Sequence, residues 1–421
     1  MRRGENMADY IIIGNGTAAL GCIAGIRKID LGTPITVISA ETHPAYCRPL
    51  ISYALEGRAK PEAMNARPAD FYEKNGVTVL YGKRAVRIDP ETHTVQLDDG
   101  QVLPYTKLCV AAGSTPFVPP MTSLDTVGQK FSFMTMDDML ALDAAAKADS
   151  RVLIVGAGLI GLKCAEGLAR RVAHITVCDL APRVLSSILD EEGAALMQAK
   201  LEEAGLTFYL GDTVDRFDGN RAVMKSGAEV DFDLLVLAVG VRANTALIRE
   251  AGGEVNRGIV TDTRMRTSLP DIYAAGDCAE GYDASIGANR VLAILPNAEM
   301  QGECAGENMA GGDCVFDRAI PMNAIGFFGL HALCAGRSLT PDEGGETIVE
   351  RGPGWLKKLY VKDGLLVGFA LIGCEERAGI YTSLIREKIP LDTVDFDLLK
   401  QAATPAAFSP AVRRQKYGGA V

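Results

Sequence analysis

The sequence is poor in the features that mark several functional classes. Its ten cysteines, Cys22, Cys47, Cys109, Cys164, Cys178, Cys278, Cys304, Cys314, Cys334 and Cys374, never form a C-x-x-C. The tight ligand clusters of zinc and iron–sulfur centres are thereby excluded, and no metal site is expected. Several cysteines stand in apolar runs, such as Cys109 between Leu108 and Val110, and Cys178 after Val177. That placement suits buried, reduced thiols in a cytoplasmic protein. Positive charge is in deficit: 43 Lys and Arg against 53 Asp and Glu give a formal net charge of −10. A nucleic-acid surface needs a basic footprint to displace counterions, so none is expected. No apolar run approaches the roughly 18 residues of a membrane span, and Met1 to Asp9 lacks an apolar stretch of signal length. A cytoplasmic location is expected, with Met1 to Asn6 as a disordered lead-in. Lys357, Lys358 and Lys362, then Arg413, Arg414 and Lys416, read as a solvated face, with docking of an acidic partner as the alternative.

What is abundant is glycine, 45 residues, within a chain of 48% hydrophobic residues and a single Trp. Val/Ile-rich strands joined by tight glycine turns are the profile of an α/β enzyme, and 421 residues suggest two or three domains. One supersecondary pattern occurs twice. Tyr10-Ile11-Ile12-Ile13 runs into Gly14-Asn15-Gly16-Thr17-Ala18-Ala19, a small-residue helix, the strand Ile35-Thr36-Val37-Ile38, and Glu41. Val152-Leu153-Ile154-Val155 runs into Gly156-Ala157-Gly158-Leu159-Ile160-Gly161, a helix through Leu168, the strand Ile175-Thr176-Val177-Cys178, and Asp179. In such a unit the first Gly makes the tight turn, the second lets backbone approach a pyrophosphate, and the third position permits close helix–strand packing. The helix start then faces the phosphates, and the acid after the second strand accepts from a ribose diol. Glycine turns also serve packing alone, but two complete units, each ending in an acid, favour dinucleotide binding.

Other strands stop at glycine: Leu108 to Ala112 before Gly113-Ser114, Leu234 to Val239 before Gly240, and Asp271 to Ala275 before Gly276-Asp277. Beyond about residue 322 the pattern changes to strands Leu359–Val361 and Leu365–Phe369 around the turn Lys362-Asp363-Gly364, then a helix from about Arg377. That segment reads as α+β.

These residues resemble the two-dinucleotide-binding-domain flavoproteins, the pyridine nucleotide-disulfide oxidoreductase superfamily, over nearly the whole chain. His43 to Ser52, which contains Tyr46-Cys47-Arg48-Pro49, is similar to the Y-x-R-P-x-x-S stretch of one branch. That branch holds rubredoxin and ferredoxin reductases and the flavin module of NADH-dependent nitrite reductases. Leu108 to Ser114 is similar to the hydrophobic-A-T-G-S motif, with Ala112 where Thr is usual, and Thr267 to Asp277 to the second flavin motif. The resemblance implies an α/β fold of two Rossmann-like domains plus a C-terminal α+β domain. FAD would occupy 1–115 and 242–321, NAD(H) an inserted domain at 116–241, and the C-terminal domain would begin at 322. It assigns Gly14, Gly16, Ala19, Glu41, Arg48, Pro49, Val86, Ala112, Gly113, Gly276, Asp277 and Asn297 to FAD. Gly156, Gly158, Leu159, Ile160, Gly161, Asp179 and Gly240 go to NAD(H).

Three departures narrow the function. Disulfide reductases of this superfamily need two cysteines spaced C-x-x-x-x-C or C-x-x-C beside the flavin, and neither spacing exists. The single-cysteine oxidases and peroxidases use one sulfenate-forming Cys, for which Cys47 is the candidate, although it falls at the variable x of Y-x-R-P and about two residues early. The third departure is charge. Relatives place Glu in G-x-G-x-x-G-x-E, paired with a Lys near the flavin; here the positions hold Lys163 and Tyr53. Lys163 is expected near the flavin, where a cation favours the reduced anion, or else bonded to Glu166 or solvent.

The expected function is transfer of electrons from NADH through FAD to a rubredoxin- or ferredoxin-like protein, a partner reductase subunit or a small acceptor. The alternatives are a Cys47-dependent oxidase, peroxidase or small-disulfide reductase, and a non-catalytic FAD/NADH-binding sensor. Asp179 favours NADH over NADPH, with Arg183 as the residue able to accept a 2′-phosphate. The C-terminal domain, with the helix around Ala378 to Arg386, is expected to carry the acceptor contact or a homodimer interface.

Overall fold

The computed structural model describes residues 8–337, 343–374 and 376–417; the Met1 to Asn6 lead-in lies outside them. The chain divides into two compact units. One comprises residues up to Leu50, Lys60–Thr115 and Val241–Ala319; the other comprises Ile51–Ala59, Pro116–Gly240 and Ile320 onward.

The first unit is built on strand Val102–Val110, which serves two sheets. Its second half lies parallel between Ala8–Ile13 and Ile272–Ala274, and the parallel sheet continues through Ile35–Ser39 to Val77–Tyr81. Its first half pairs antiparallel with Thr94–Leu97, and that strand with Ala85–Asp89. The parallel strands are buried on both faces, with Ile11, Ile12, Val37, Leu108 and Ala274 wholly enclosed, which is why they read as continuous apolar runs. Helices Thr17–Ile29 and Leu295–Met309 pack so closely that a Cβ on Gly302 would lie 2.0 Å from the Ala18 carbonyl oxygen, and one on Gly21 2.3 Å from that of Glu299. Small residues on both helices are therefore a packing requirement.

The second unit repeats the parallel arrangement in the order Leu206–Leu210, His174–Asp179, Arg151–Val155, Leu234–Leu237 and Lys130–Phe131. A small antiparallel sheet, Val214–Asp218, Arg221–Met224 and Glu229–Asp231, attaches to it. Helix Ile51–Leu55 belongs here, although the residues before it lie in the first unit. Gly167 of helix Leu159–Leu168 lets it approach: a Cβ there would sit 2.9 Å from the Ser52 carbonyl oxygen.

From Met322 the chain forms a five-stranded antiparallel sheet, followed by helices Ala378–Arg386 and Phe396–Gln401. The turn at Asp363-Gly364 has φ +50° and +72°, as a two-residue hairpin requires. This sheet corrects the reading of Lys357 and Lys358 as a solvated face, since both are buried on strand Trp355–Lys362. The Lys357 ammonium donates to the Lys400 carbonyl (2.6 Å) and pairs with Glu376 (2.8 Å). Lys358 pairs with Asp190 and, at 2.9 Å, with Glu192, at the start of helix Glu191–Glu203. Charge in the sequence suggested solvent; part-buried carboxylates and a carbonyl satisfy these ammonium groups instead.

Candidate functional site

Both glycine turns carry the division of labour expected from their spacing. Gly14 has φ +105°, and a Cβ on it would lie 2.2 Å from the Ala111 carbonyl oxygen; Gly156 has φ +119° and the same clearance from Ala238. Neither position tolerates a side chain. Around Gly16 and Gly158, by contrast, a Cβ would meet nothing within 4 Å. These glycines leave space open above the helix starts at Thr17 and Leu159, and neither start has a side-chain cap. Uncapped N–H groups facing open space suit a pyrophosphate. At the third position Gly161 is held 2.0 Å from the Gly156 carbonyl by the same measure, whereas the first turn accommodates the buried methyl of Ala19. Leu159 and Ile160, in the first helical turn, are half-buried.

The residues around the first turn meet as a polar group within the first unit. Glu41 accepts hydrogen bonds from the Tyr46 hydroxyl and from Arg48, both 2.7 Å. Arg48 also stacks on the Tyr46 ring, 5.1 Å from its centroid. Burial pushes the Asp277 carboxyl above the usual range, opposed by the Ser114 hydroxyl, which donates at 3.4 Å, and by the Arg48 charge. Arg48 therefore sits in the field of both acids assigned to FAD. Gly276, φ +81°, brings this loop against helix Thr17–Ile29, with 2.9 Å between its notional Cβ and that of Ala18, and its N–H donates to Gln301. Ala112 and Gly113 are held by Asn244, which donates its side-chain amide to the Ala112 carbonyl (2.8 Å) and its backbone N–H to Gly113 (3.0 Å). Asn297 is wholly buried in the helix Leu295–Met309, which opens with Pro at its first turn and no side-chain cap. Pro49 is exposed, and Val86, 42% exposed, stands on strand Ala85–Asp89.

An acceptor-rich ligand fits the first turn on independent grounds. Asn15, between the two glycines, accepts from the Tyr72 hydroxyl at 2.7 Å, while its amide Nδ2 is buried with no hydrogen-bond partner. A buried donor left unpaired costs about 1–3 kcal/mol, which a phosphate or flavin oxygen would relieve. Neither Asn15, Tyr72 nor Ser114 was assigned from sequence. Ser114 was legible, as the last residue of the A-T-G-S-like stretch; Tyr72 carries no sequence signal.

The second turn is held differently. The Asp179 carboxylate accepts from the backbone N–H of Ala157 (2.7 Å) and of Ala181 (2.8 Å), so it braces the turn from within. The Ala157 carbonyl in turn accepts from the N–H of Leu185 (2.9 Å), a buried residue held at φ +50°. Arg183 donates to the carbonyls of Leu189 (3.2 Å) and Ser186 (3.4 Å), which commits its guanidinium to the local backbone. Gly240, φ +113°, closes strand Leu234–Leu237 with open space beside it, and its carbonyl accepts from Phe117.

Lys163 and Tyr53 do face each other, with the ammonium 5.6 Å from the ring centroid and Arg58 stacked on the same ring at 4.7 Å. Lys163 also donates to Glu166 (2.7 Å) and to the Gly326 carbonyl (2.5 Å), above the buried ring of Phe327 at 4.6 Å. Glu166 completes the clasp by accepting from the Phe328 N–H at 2.8 Å. Helix Leu159–Leu168 is thus pinned to the tip of the hairpin Met322–Gly336, through the Glu166 pairing the sequence had offered as one option.

Cys47 is half-buried, and burial pushes its thiol up; the one opposing influence is the Leu50 N–H. No cation lowers it, so it lacks the electropositive setting of a reactive thiolate. Among the described residues no cysteine is in a disulfide, no group of three His, Cys, Asp or Glu could hold a metal, and no helix is long and apolar enough to cross a membrane.

The model of the family described as pyridine nucleotide-disulphide oxidoreductase matches residues 8–302. The chain belongs to that family. The protein is an FAD- and NADH-using oxidoreductase. It is 32% identical over 400 residues to the epsilon subunit of the NADH-dependent phenylglyoxylate dehydrogenase of Aromatoleum evansii, covering 93% of this chain and 94% of that protein. It is also 32% identical over 387 residues to the assimilatory nitrate reductase electron transfer subunit of Bacillus subtilis (strain 168); that match covers 90% of this chain but only 49% of the relative. The solved structure of the covalent putidaredoxin reductase–putidaredoxin complex matches with a TM-score of 0.85 at 25% identity, covering 95% of this chain and 98% of that one.

Proposed function

We propose that this protein takes a hydride from NADH into FAD and passes the electrons to a separate redox protein or partner reductase subunit. One observation carries the reading: each unit has a complete glycine turn with an open second glycine over an uncapped helix start. The named activities of two relatives, an NADH-dependent dehydrogenase subunit and an electron transfer subunit, support the onward transfer.

FAD, when bound, supplies acceptance of a hydride and release of one or two electrons. The chain's own residues bind and orient. Gly14, Gly16 and the helix start at Thr17 receive the FAD pyrophosphate, with Asn15 as an additional donor. Glu41, fixed by Tyr46 and Arg48, meets the adenosine ribose, and Asp277 the ribityl hydroxyls. The start of helix Leu295–Met309, with Asn297, places partial positive charge toward the pyrimidine end, which favours the reduced anion. Gly158, Leu159 and Ile160 receive the NADH pyrophosphate. Asp179 presents negative charge where NADPH carries its 2′-phosphate, and Arg183 is turned to carbonyls, so NADH is preferred.

Cys47 has no part in this transfer. The test is anaerobic addition of NADH to the purified yellow protein, followed by a rubredoxin or ferredoxin. Flavin bleaching by NADH and recovery on adding the acceptor are expected in both wild type and Cys47→Ser. A fall of orders of magnitude in Cys47→Ser with FAD still bound would transfer the assignment to the single-cysteine oxidases. Failure of NADH to bleach the flavin would leave the sensor reading.

A further inference from the structure

The ten thiols occupy unlike settings. Cys22 and Cys109 are neighbours, but both are wholly buried, so no oxidant in solution reaches them. Cys47 and Cys374 are half-buried and hydrogen-bond with backbone groups. Cys304 and Cys314 are neighbours, Cys304 buried and Cys314 half-buried.

Their backbone is fixed from both sides. Cys304 lies in the last half of helix Leu295–Met309; the chain leaves at Ala310, reverses at Gly311 with φ +91°, and returns along the helix end. Asn308, one helical turn beyond Cys304 on the same face, clips the returning segment at Cys314. Its Oδ1 accepts from the Cys314 N–H and its Nδ2 donates to the Cys314 carbonyl, both 2.9 Å. The same Nδ2 is 3.4 Å from the Cys304 sulfur, which is itself 3.4 Å from the Cys314 carbonyl oxygen. The returning segment is tied further on, where the Phe316 N–H donates to Thr263 at 2.7 Å. The Cys304 sulfur is thus held against the Cys314 backbone, within hydrogen-bonding reach of the Cys314 side chain.

We propose that Cys304 and Cys314 form a reversible disulfide when the protein meets a hydroperoxide. The sulfur of Cys314, the less buried of the two residues, attacks one peroxide oxygen; an S–O bond forms, the O–O bond breaks, and with hydrogen peroxide the other oxygen leaves as water, taking the thiol proton. The product is a sulfenic acid. The Cys304 sulfur then attacks the Cys314 sulfur; the S–S bond forms, the S–O bond breaks, and hydroxide leaves as water with the Cys304 proton. Two thiols supply two electrons, and one peroxide becomes two waters. Burial and the adjacent Cys314 raise the Cys304 thiol, so Cys304 is the second sulfur to react and not the first. The bond would tie the end of the helix to the returning segment and resist opening of the first unit there.

The site is independent of the NADH reaction, so its test does not depend on that reading. The FAD-loaded full chain is treated with hydrogen peroxide and then denatured for thiol counting and peptide mass analysis. The expected result is a fall from ten thiols to eight, a Cys304–Cys314 linked peptide, and restoration by dithiothreitol. Cys304→Ser should trap a sulfenic acid at Cys314, detectable with a dimedone label, and Cys314→Ser should abolish the link. Cys47→Ser should leave it unchanged. Oxidation at Cys47 or Cys374 without a 304–314 link, or an unlabelled Cys314 in Cys304→Ser, would overturn the proposal. NADH bleaching of the flavin, measured in the same samples, reports separately on the proposed function.

Discussion

The two glycine turns share a backbone and differ in what holds it. In each, the first glycine has a strongly positive φ and lies against a carbonyl, and its N–H donates to the neighbouring strand: Gly14 to Ile38 at 2.8 Å, Gly156 to Cys178 at 2.7 Å. The acids at the ends of those strands have separate duties. Glu41 belongs to a side-chain network with Tyr46 and Arg48, whereas Asp179 holds the Ala157 N–H of its own turn directly. The first turn is steadied through Asn15 and Tyr72. One supersecondary unit, used twice, thus places its acid once in a side-chain network and once as a brace of the turn's own backbone.

The strongest way to sharpen that comparison is to obstruct the open glycine of each turn. Gly16→Val should give a folded, colourless protein, because nothing in the chain lies where the new side chain goes. Gly158→Val should stay yellow but lose NADH reduction, with a fall in kcat/KM beyond 100-fold, about 3 kcal/mol or more. Absorbance and stopped-flow bleaching read both; full FAD occupancy in Gly16→Val would break the assignment of the two turns. Next in size are the acids. Asp179→Ala removes two charge-assisted bonds to backbone, each worth about 1.5–3 kcal/mol, so the KM for NADH should rise roughly 10- to 100-fold with kcat changed less. Glu41→Gln should loosen FAD while leaving the KM for NADH within about twofold, since it touches only the first unit. Equal effects on NADH in the two variants would erase the distinction.

Lys163→Gln should have a smaller effect. An unneutralised cation beside a flavin corresponds to a shift of about 50 mV for a two-electron couple. With Glu166 at 2.7 Å, the expected change in midpoint potential is under about 25 mV, alongside a loss of about 1 kcal/mol in stability from the broken clasp. A full shift with unchanged stability would restore the electronic role. The smallest effect concerns Asp277, whose folded-state carboxyl is raised by burial. A raised acid lowers stability as pH climbs past its unfolded value and through its folded one. Asp277→Asn should therefore raise the apoprotein Tm at pH 7 and not at pH 3, while weakening FAD binding; a higher Tm at both would point to packing.

Much of the fold was legible because its strands are buried on both faces and its turns need glycine. Both βαβ units, the strand ending before Gly276, the helix after Pro296 and the Asp363-Gly364 hairpin followed from local pattern. The rest depended on encounters between distant segments. Nothing local reveals that Asn15 meets Tyr72, that Leu185 adopts a left-handed backbone to reach Ala157, or that Lys357 and Lys358 are buried. The exchange of the usual acid for Lys163 was visible, but its neutralisation by Glu166 required knowing that both reach the hairpin tip. In the family motif the glutamate stands where Lys163 does; here a glutamate three residues later lies on the same side of the helix.

Lys357 and Lys358 are adjacent on one strand, so they emerge on opposite sides of the sheet, and each finds its partners there. The strand works like a rivet through three layers, one head fastened under Phe396–Gln401 and the other in the loop opening helix Glu191–Glu203. Trimming the chain before residue 396 would remove the Lys400 carbonyl that caps one head and leave a buried ammonium short of a partner. Shortening this protein from its far end would thus act through the sheet, on the strand whose other head fastens the start of helix Glu191–Glu203.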